Sequence, residues 1–457
     1  EECVPVLKKA GIDLNGETIA LFCNLAEWDP KTLTFSHDSP YYAGGDAFHG
    51  TAWQLDSPEL DVRNLELKTP LIRDGQYGRI SLGRHNSIFI GGIAHELGHA
   101  FGLPHCEERP NEKARGTSLM GSGNRTYAEE VRDEGPGTFL TFAHALRLAS
   151  HPQFSGFVEK SPSSPQATVE QLSITAEGKE ILVAGIVHGE PPVYGVVAYF
   201  DPEGHGDYNA TTSAAIPSSD GRFSLRTNAL SRGRKGSLRL IPLHVNGATS
   251  PNELLSRWRY AYRIEENGVP DLQTIHVRRE LKLLIDALLQ GDRTLATKRA
   301  NDIKNVKAST IARRLLLTET PSGTPAQFSG KEPSVSLTDF KPTSARVGWM
   351  KPAYDRIAES SMLLESDGEI FSTGIYAHAP ARHEYDLGGQ WKSFSGRAGL
   401  AAGHSGSVVF EILGDGRSLW KSDVVREDRA ASFEVDVKGV QRLELLTAPT
   451  EDGPTAD

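Results

Sequence analysis

The chain has 457 residues and a formal net charge of −10. At usual domain sizes this length predicts about three domains, each large enough to bury a core. The negative charge argues against a nucleic-acid partner. No segment approaches the roughly 18 apolar residues that a membrane-spanning helix needs, so we expect no transmembrane segment.

The first predicted domain, residues 1–155, begins with short apolar runs between loops rich in Gly, Asp and Pro. The run Thr18-Ile-Ala-Leu-Phe-Cys23 predicts a buried strand, and Ser87-Ile-Phe-Ile-Gly91 is expected to lead into a helix. All three cysteines of the chain fall in this domain. One disulfide with a spare thiol and three reduced thiols are both compatible with that count.

Aromatic residues are dense between positions 41 and 53, where the sequence reads Tyr-Tyr-Ala-Gly-Gly-Asp-Ala-Phe-His-Gly-Thr-Ala-Trp. Rings of this kind stack on sugars or peptides, but one or two of them could equally pack in the core. The candidate substrate contacts from this segment are Tyr41, Tyr42, Phe48 and Trp53.

A histidine-rich motif occupies residues 95–105, which read His-Glu-Leu-Gly-His-Ala-Phe-Gly-Leu-Pro-His. On a helix, His95 and His99 are one turn apart and project from the same face. Gly102 suits the positive φ that ends a helix, and the proline two residues later prevents the helix from resuming. The chain therefore reverses and carries His105 back, so that three imidazoles are predicted to converge.

Three protein ligands with an open fourth position are typical of a catalytic zinc site. We therefore predict that His95, His99 and His105 bind a zinc ion (Zn2+). Glu96 lies about 100° further round the helix, where it can hold the water that zinc acidifies and act as general base. The alternative is a histidine cluster on a surface helix without a metal. Three further histidines are weaker candidates for ligands: His37, His49 and His85.

The motif resembles that of the metzincin metalloendopeptidases, which carry His-Glu-x-x-His-x-x-Gly-x-x-His followed by a methionine turn beneath the metal. Downstream lies Gly116-Thr-Ser-Leu-Met120-Gly-Ser-Gly-Asn124, so the resemblance implies that Met120 packs under the histidines. Several metzincin groups place a tyrosine two residues after the methionine, where this chain has Ser122. Tyr127, the nearest tyrosine, either reaches the site or is a wall residue. Cys106, after the third histidine, leaves the subfamily open.

The resemblance also implies the fold of residues 1–155, namely a twisted sheet, the zinc helix, the methionine turn and a closing helix. The segment Thr138 to Ala149 has the helical periodicity expected of the closing helix. In metzincins the aromatic segment at 41–53 would lie at the sheet edge above the cleft, to which an extended peptide substrate adds as a further strand.

A Ser/Pro-rich stretch at residues 155–167 predicts a linker to the next domain. Between residues 168 and 265, short β-rich runs recur at regular spacing, which is typical of an antiparallel sandwich of the immunoglobulin or fibronectin type. No catalytic pattern stands out there, so we expect a spacer or platform. The runs are Gln171 to Thr175, Ile181 to Val187, Val193 to Phe200, Arg222 to Arg226 and Ser237 to Pro242.

Residues 270–318 change to a helical pattern, with Leu and Ile on one stripe and Arg and Lys elsewhere. We expect two helices with a break near Gly291-Asp292. Their basic face either binds an anionic partner or is simply solvated. Residues 318–334, rich in Thr, Pro, Ser and Gly, predict a second linker.

Residues 335–457 resemble NPCBM, a bacterial carbohydrate-binding module with a β-sandwich fold that is attached to glycan-active enzymes. Alternation and turn glycines alone predict only a second sandwich, and sugar binding is implied by the resemblance. His378, Trp391 and Trp420 are candidate sugar contacts or core residues. The resemblance rests on Gly374-Ile-Tyr-Ala-His-Ala-Pro380, Tyr385-Asp-Leu-Gly-Gly389, Gly406-Ser-Val-Val-Phe410 and Phe433-Glu-Val-Asp-Val437.

Together these patterns predict a multidomain α+β protein, with a metzincin-like domain, a middle β-sandwich, a short helical segment and a C-terminal β-sandwich. This architecture resembles that of the mucin-degrading metallopeptidases of mucus-dwelling bacteria, some of which need an O-glycan next to the cut bond. The resemblance implies a secreted or cell-surface bacterial zinc endopeptidase that hydrolyses peptide bonds in glycoproteins of the mucin type. Its partners would be a glycoprotein substrate and glycans bound by the C-terminal module.

Three alternatives remain open at this point. The chain could be a glycan-binding adhesin with an inactive metzincin domain, although the intact ligands and Glu96 argue against that reading. It could be a zinc peptidase with no glycan requirement. It could also hydrolyse a bond other than a peptide, against which the methionine turn argues.

Overall fold

The computed structural model describes residues 3–156, 165–204, 206–249, 258–317, 321–324, 334–358, 362–402, 404, 406–426 and 429–450. The chain divides into two compact units, Glu1–Leu272 and Gln273–Asp457. Most of the two predicted linkers, at 155–167 and 318–334, lies outside the described residues. Within the described ranges, no helix is both long enough and apolar enough to cross a membrane.

The first half of the first unit combines short strands with one long helix. Its elements are α1 (Val4–Lys9), β1 (Thr18–Cys23), β2 (Ala26–Asp29), β3 (Thr34–His37), β4 (Tyr42–Gly45), β5 (Gly50–Leu55), β6 (Leu71–Asp74), β7 (Gly78–Ser81), α2 (Leu82–Ala100), β8 (Thr117–Ser118), β9 (Thr138–Phe139), α3 (Phe142–Ala149) and α4 (Pro152–Ser155). One sheet has the order β1-β5-β4 and another the order β2-β3-β6-β7. Helix α2 packs on β4 and β5, so the histidine motif lies against the first sheet.

Three sequence predictions for this half have clear outcomes. The strand at 18–23 is confirmed, but only Ile19 in it is buried, because β1 is an edge strand. The segment 87–91 does not lead into the zinc helix but lies inside it, since α2 begins at Leu82 after the capping residue Ser81. The closing helix is confirmed as α3, which begins only after its cap, Thr141.

The second half of the first unit consists of two antiparallel sheets, with the orders β10-β11-β14 and β13-β12-β15-β16-β17. All five β-rich runs predicted from the sequence are confirmed as parts of strands. An apolar cluster joins side chains of β12 and β15 to Ala143 and Leu146 of α3. The closing helix and the sheets therefore share one core. The strands are β10 (Gln166–Glu177), β11 (Glu180–Glu190), β12 (Val193–Pro202), β13 (Thr211–Ala215), β14 (Arg222–Thr227), β15 (Lys235–His244), β16 (Arg259–Ile264) and β17 (Pro270–Asp271).

The second unit begins with three helices, α5 (Gln273–Leu289), α6 (Arg293–Asn301) and α7 (Val306–Leu316). The break near Gly291 is confirmed, with Asp292 as the cap of α6. The prediction of only two helices was wrong, because Asn305 caps a further helix by accepting a bond from the main-chain nitrogen of Ala308.

The remainder of the second unit is β-rich and resembles a sandwich. Its largest sheet has the order β18-β23-β29-β25-β26, with β27 also paired to β25, and β24 pairs with β28. Apolar side chains from β23, β25, β28 and β29 form its core. The strands are β18 (Ser344–Arg346), β19 (Ala353–Tyr354), β20 (Leu364–Ser366), β21 (Glu369–Phe371), β22 (Ile375–Tyr376), β23 (Ala381–Asp386), β24 (Ser393–Gly399), β25 (Ser407–Gly414), β26 (Arg417–Lys421), β27 (Val425–Arg426), β28 (Ala430–Asp436) and β29 (Arg442–Pro449).

Candidate metal centre

The three motif histidines meet at the end of α2. His95 and His99 lie one turn apart on the helix, and their Nε2 atoms are 3.1 Å apart. The helix ends at Ala100, and Gly102 then takes a φ of 79°, the left-handed conformation predicted for it. After this reversal the Nε2 atom of His105 lies 3.0 Å from that of His99.

The donor atoms fit a bound cation. Each Nδ1 faces an oxygen and therefore carries the ring proton, which leaves a lone pair on each Nε2. The Nε2 atom of His99 lies about 3 Å from each of the other two, where the lone pairs repel one another unless a cation lies between them, and imidazole nitrogens suit zinc. The three Nδ1 bonds run from His95 to the Leu119 carbonyl (2.6 Å), from His99 to the Leu103 carbonyl (2.8 Å) and from His105 to Asp207 Oδ1 (2.7 Å).

The electrostatics keep two of these imidazoles neutral. Burial lowers the pKa of His95, and the charge of His105 lowers it further, against the bond to Leu119. Burial also lowers the pKa of His99 to about 4, aided by the charges of the other two histidines. Because a metal competes with a proton for the same lone pair, both rings are in the ligating form at neutral pH.

Glu96 follows the first histidine on α2 and is buried, with 8% of its surface exposed. Burial raises the pKa of its carboxyl group, and the charge of His105 opposes this shift. A carboxylate whose pKa lies above its ordinary value is a better proton acceptor near neutral pH. The position beside the histidine cluster therefore suits a general base.

Met120 packs directly against helix α2. Its side chain is fully buried in a small apolar cluster with Leu103 and Cys106. A Cβ atom added to Gly98 would overlap the Met120 sulfur, so the glycine allows the methionine to lie against the helix next to His99. The preceding carbonyl, that of Leu119, accepts the bond from His95. The turn thus holds the histidine cluster in place through packing and one hydrogen bond, and Met120 itself does not bind the metal position.

The three cysteines are free thiols in the structure. Cys106 follows the third histidine in sequence but its Sγ atom contacts Ser118, Thr141 and His144 in the interior. Burial raises the pKa of this thiol to about 11, so it is neither a ligand nor a nucleophile here.

The aromatic candidates separate into buried and accessible rings. Tyr41 is largely buried, and its hydroxyl lies against Gly92 of α2; burial and then the charge of Glu96 raise its pKa. Tyr42 is 58% exposed and stacks on Trp53 of the neighbouring strand, with ring centroids 6.1 Å apart. These two rings lie on β4 and β5, and β4 is the free edge of its sheet.

Two other candidate contacts lie to either side of these rings. Phe48 is partly buried in the turn that joins β4 to β5. The Cβ atom of Tyr127 packs against Gly91 of α2, so this tyrosine lies beside the helix. Among the described residues, the only group of side chains arranged to hold a metal is the His95, His99 and His105 cluster. His85 instead contacts Asp74, and His49 contacts Asp46.

Two residues of the turn between β12 and β13 belong to the same site, and no sequence pattern pointed to them. Asp207 accepts the bond from His105 Nδ1, and its other oxygen lies 3.3 Å from the main-chain nitrogen of His105. Although burial raises the pKa of Asp207, its contact with His105 outweighs this and the pKa is lowered. Tyr208 stacks on the His105 ring with centroids 3.5 Å apart. The middle domain, expected to be a spacer or platform, thus contacts the histidine cluster through this turn.

The C-terminal β-rich domain contains a cavity of about 1020 Å³. His378 lines it, and its Nε2 atom lies 3.2 Å from the Tyr376 hydroxyl, which in turn lies 3.1 Å from His404. Trp391 and Trp420 also line the cavity, but both pack against the apolar core of the domain. All three candidate sugar contacts are partly buried.

Residues 333–457 match the family described as the NPCBM/NEW2 domain. The match is confined to this part of the chain. The comparison with curated proteins gives no match.

The chain is also similar to solved structures of two bacterial proteins. Wild-type OgpA from Akkermansia muciniphila is 23% identical, with 57% of this chain and 69% of that chain covered and a TM-score of 0.42. Catalytically inactive OgpA in complex with an O-glycopeptide (glycodrosocin) substrate gives the same identity and coverage and a TM-score of 0.43. The M60 catalytic domain with CBM51-1 and CBM51-2 from Clostridium perfringens ZmpB is 14% identical, with 86% and 43% covered and a TM-score of 0.26. All three TM-scores are low, so these likenesses assign neither the fold nor the function of this chain.

Proposed function

We propose that this protein is a zinc-dependent endopeptidase that cleaves glycoproteins of the mucin type. The observation that carries the proposal is the convergence of three imidazole Nε2 atoms, from His95, His99 and His105, beside the buried carboxylate of Glu96. Three protein ligands leave a position for water and substrate, which distinguishes catalytic from structural zinc sites.

A zinc ion held there supplies an acidified water molecule and a Lewis acid for the substrate carbonyl. Glu96 accepts the proton of the attacking water and later delivers it to the leaving amine. Its raised pKa suits both steps, because the same carboxyl must take and release one proton near neutral pH. The Nδ1 atom of each histidine faces an oxygen acceptor, which leaves its Nε2 atom to bind the metal.

The free edge strand β4 supports a peptide as substrate. An extended chain can pair with the main chain of β4, and the exposed Tyr42 and the Trp53 ring beneath it offer a stacking surface beside that edge. This surface and Glu96 belong to the same sheet-and-helix packing, since α2 packs on both strands. The arrangement favours peptide hydrolysis over hydrolysis of another bond.

The NPCBM/NEW2 match at residues 333–457 supports a glycan-bearing target. A module that binds glycans weakly raises the local concentration of the peptidase at a glycosylated protein. Such substrates lie outside bacterial cells, so we propose a secreted or cell-surface location. A glycan-binding adhesin with a silent catalytic domain is the second candidate, favoured by the same match, and the experiment below separates the two.

The test compares wild type, Glu96→Gln and Glu27→Gln on two peptides of one sequence, one O-glycosylated and one bare, with cuts mapped by mass spectrometry. Glu27→Gln is the matched control, because Glu27 is an exposed residue of β2 and the chemical change is the same. We expect wild type and the control to cleave the glycosylated peptide, and Glu96→Gln to lose at least about 100-fold in rate, as removal of a general base does.

Each outcome has one meaning. Cleavage by Glu96→Gln at the wild-type rate would refute the catalytic mechanism. Equal cleavage of both peptides by wild type would favour the alternative of a peptidase with no glycan requirement. Cleavage of neither peptide by zinc-loaded wild type would favour the adhesin.

A further inference from the structure

We propose that Asp207, which the middle β-sandwich carries to the third histidine, is a positioning residue of the metal centre. The sandwich is then part of the zinc site and not a spacer. This inference rests on the proposed function, because it assumes that His105 is a zinc ligand.

The third histidine needs support that the other two do not. His95 and His99 are held by the rigid geometry of α2, and both donate their Nδ1 protons to main-chain carbonyls of the same half of the unit. His105 lies beyond the end of α2, in the reversed segment after Gly102. Its ring and its main chain are therefore the parts of the ligand set that a helix does not fix.

Asp207 supplies that support at two points. One carboxylate oxygen accepts the Nδ1 proton of His105 at 2.7 Å, and the other lies 3.3 Å from the main-chain nitrogen of the same residue. Two contacts from one rigid group fix both the ring orientation and the backbone that carries it. A carboxylate behind the imidazole also makes Nε2 more basic than a carbonyl does, which strengthens its bond to a metal. Asp207 is the only carboxylate among the three Nδ1 partners.

The sandwich is anchored to this segment firmly enough to position a side chain. The main-chain nitrogen of Glu107 donates to the carbonyl of Ala210 at 2.8 Å, just beyond Asp207. On the other side of His105, Arg147 of α3 donates to the Gly102 carbonyl at 2.5 Å and to the Tyr199 hydroxyl of β12 at 3.1 Å. The segment that carries His105 is thus tied to the sandwich before and after the ligand.

The turn itself is shaped to present the carboxylate. With its amide oriented to satisfy both groups, Asn209 donates to the carbonyl oxygens of Gly204 and Gly206. Tyr208 covers one face of the His105 ring in a near-parallel stack at 24°. His105 is consequently enclosed by Asp207 at its Nδ1 edge and by Tyr208 on its face, which leaves the Nε2 edge for the metal.

The experiment measures zinc affinity of the full-length chain, after removal of metal, by competition with a chromophoric chelator. Wild type is compared with Asp207→Ala, Asp207→Asn and the control Asp220→Asn. Asp220 is an exposed aspartate of the same sandwich. Its carboxylate accepts hydrogen bonds from Ser218 and Arg222 and does not contact the histidine cluster. We expect zinc affinity to fall about 10- to 100-fold in Asp207→Ala, as for other groups that orient a metal-bound histidine.

The Asp207→Asn variant separates positioning from folding. The introduced amide would keep an oxygen for the Nδ1 proton but would turn its NH₂ group toward the main-chain nitrogen of His105, so we expect an affinity between wild type and Asp207→Ala. The isosteric change keeps the test valid if the alanine variant does not fold. As a second readout, the visible spectrum of the cobalt(II)-loaded protein reports ligand geometry, and it should change in both Asp207 variants and not in Asp220→Asn.

The failures are distinguishable. If wild type binds zinc and both Asp207 variants bind it as tightly as wild type with unchanged cobalt spectra, the positioning role is overturned and the proposed function stands. If metal-stripped wild type binds no zinc, the proposed function fails and this inference fails with it. Equal weakening in Asp220→Asn would show a general charge effect and would also overturn the role of Asp207.

Discussion

The substitution Gly92→Ala in helix α2 tests directly how the β1-β5-β4 sheet and the adjoining Tyr41 pack on that helix. Gly92 lies in the middle of α2, where alanine is intrinsically favoured over glycine by about 1 kcal/mol. On helix propensity alone, the variant should be more stable than wild type. The structure predicts the opposite sign, because a Cβ atom at this position would overlap the hydroxyl of Tyr41.

The magnitude follows from the space that the Tyr41 ring occupies. The new methyl group would overlap the hydroxyl and would still lie 3.2 Å from ring carbon Cε1, so the largely buried ring must leave its site. Overpacking of this kind costs about 1 to 3 kcal/mol. We expect an overpacking cost near the upper end of that range, about 3 kcal/mol. The helix-propensity gain of about 1 kcal/mol offsets part of it, so the free energy of unfolding should fall by about 2 kcal/mol. In a Tyr41→Ala background the clash is absent, and Gly92→Ala should then stabilise by about 1 kcal/mol.

The assay is a double-mutant cycle with a matched control. Unfolding in urea is measured with a chelator present, because a metal bound only by the native state would add its own binding free energy. The predicted coupling between positions 41 and 92 is about 3 kcal/mol, at the upper end for residues in contact. The control is Gly91→Ala, whose Cβ atom would lie 2.5 Å from the Asn124 carbonyl oxygen and from Tyr127 Cβ. It should destabilise equally in both backgrounds.

Two results would refute this reasoning. A Gly92→Ala variant that is as stable as wild type would mean that Tyr41 does not lie against the helix. A loss of similar size with and without the tyrosine ring would mean that some other group meets the methyl. In either case Tyr41 would return to the set of accessible substrate contacts.

Two further predictions concern the methionine turn and the second unit. Met120→Ala removes a fully buried side chain beneath the histidines and should cost about 2 to 5 kcal/mol of unfolding free energy, against less than about 1.5 kcal/mol for Met120→Leu. Urea unfolding with chelator present measures both, and equal losses would contradict a packing role. Burial lowers the pKa of His383 below the ordinary 6.5, so the unfolded chain takes up a proton that the folded chain excludes. The second unit should therefore lose stability as the pH falls below about 6.5, and His383→Leu should flatten that dependence in calorimetry. An unchanged slope in the variant would speak against His383 as the source.

The sequence predicted best those parts of the fold that are encoded locally. The strands of the middle sandwich follow from alternation and turn residues, and all five predicted runs lie in strands. The extra helical break was missed because the segment from Asp302 to Asn305 contains neither glycine nor proline. The signal present there is Asn305, whose side chain caps α7. The capping residue Asn305, and not a glycine or proline, is therefore the feature of the sequence that marks the boundary between α6 and α7.

The candidate site shows the same division. Its three histidines lie within one short motif, so helix geometry and one glycine turn were enough to predict that they meet. Asp207 is 102 residues away from His105 in sequence. In the turn Gly206-Asp207-Tyr208-Asn209, the aspartate has an ordinary role as a turn former, and nothing in the local pattern distinguishes the two roles. The packing of α3 on the sandwich and the bond from the Glu107 main-chain nitrogen to the Ala210 carbonyl bring this turn to the histidine cluster.

If the histidine cluster binds a metal as proposed, that packing couples metal binding to the folding of the sandwich. A ligand that binds only the native state stabilises it by its binding free energy, and the unfolded chain offers no preformed set of three nitrogens. Asp207 holds the segment that carries His105, and so do the contacts of Arg147 with Gly102 and Tyr199. Metal binding would therefore also stabilise the strands of the sandwich that these contacts join to the segment. The histidine motif therefore specifies the direction of its three nitrogens, and under the proposed role of Asp207 the affinity of the site would also depend on a domain that the motif does not contain.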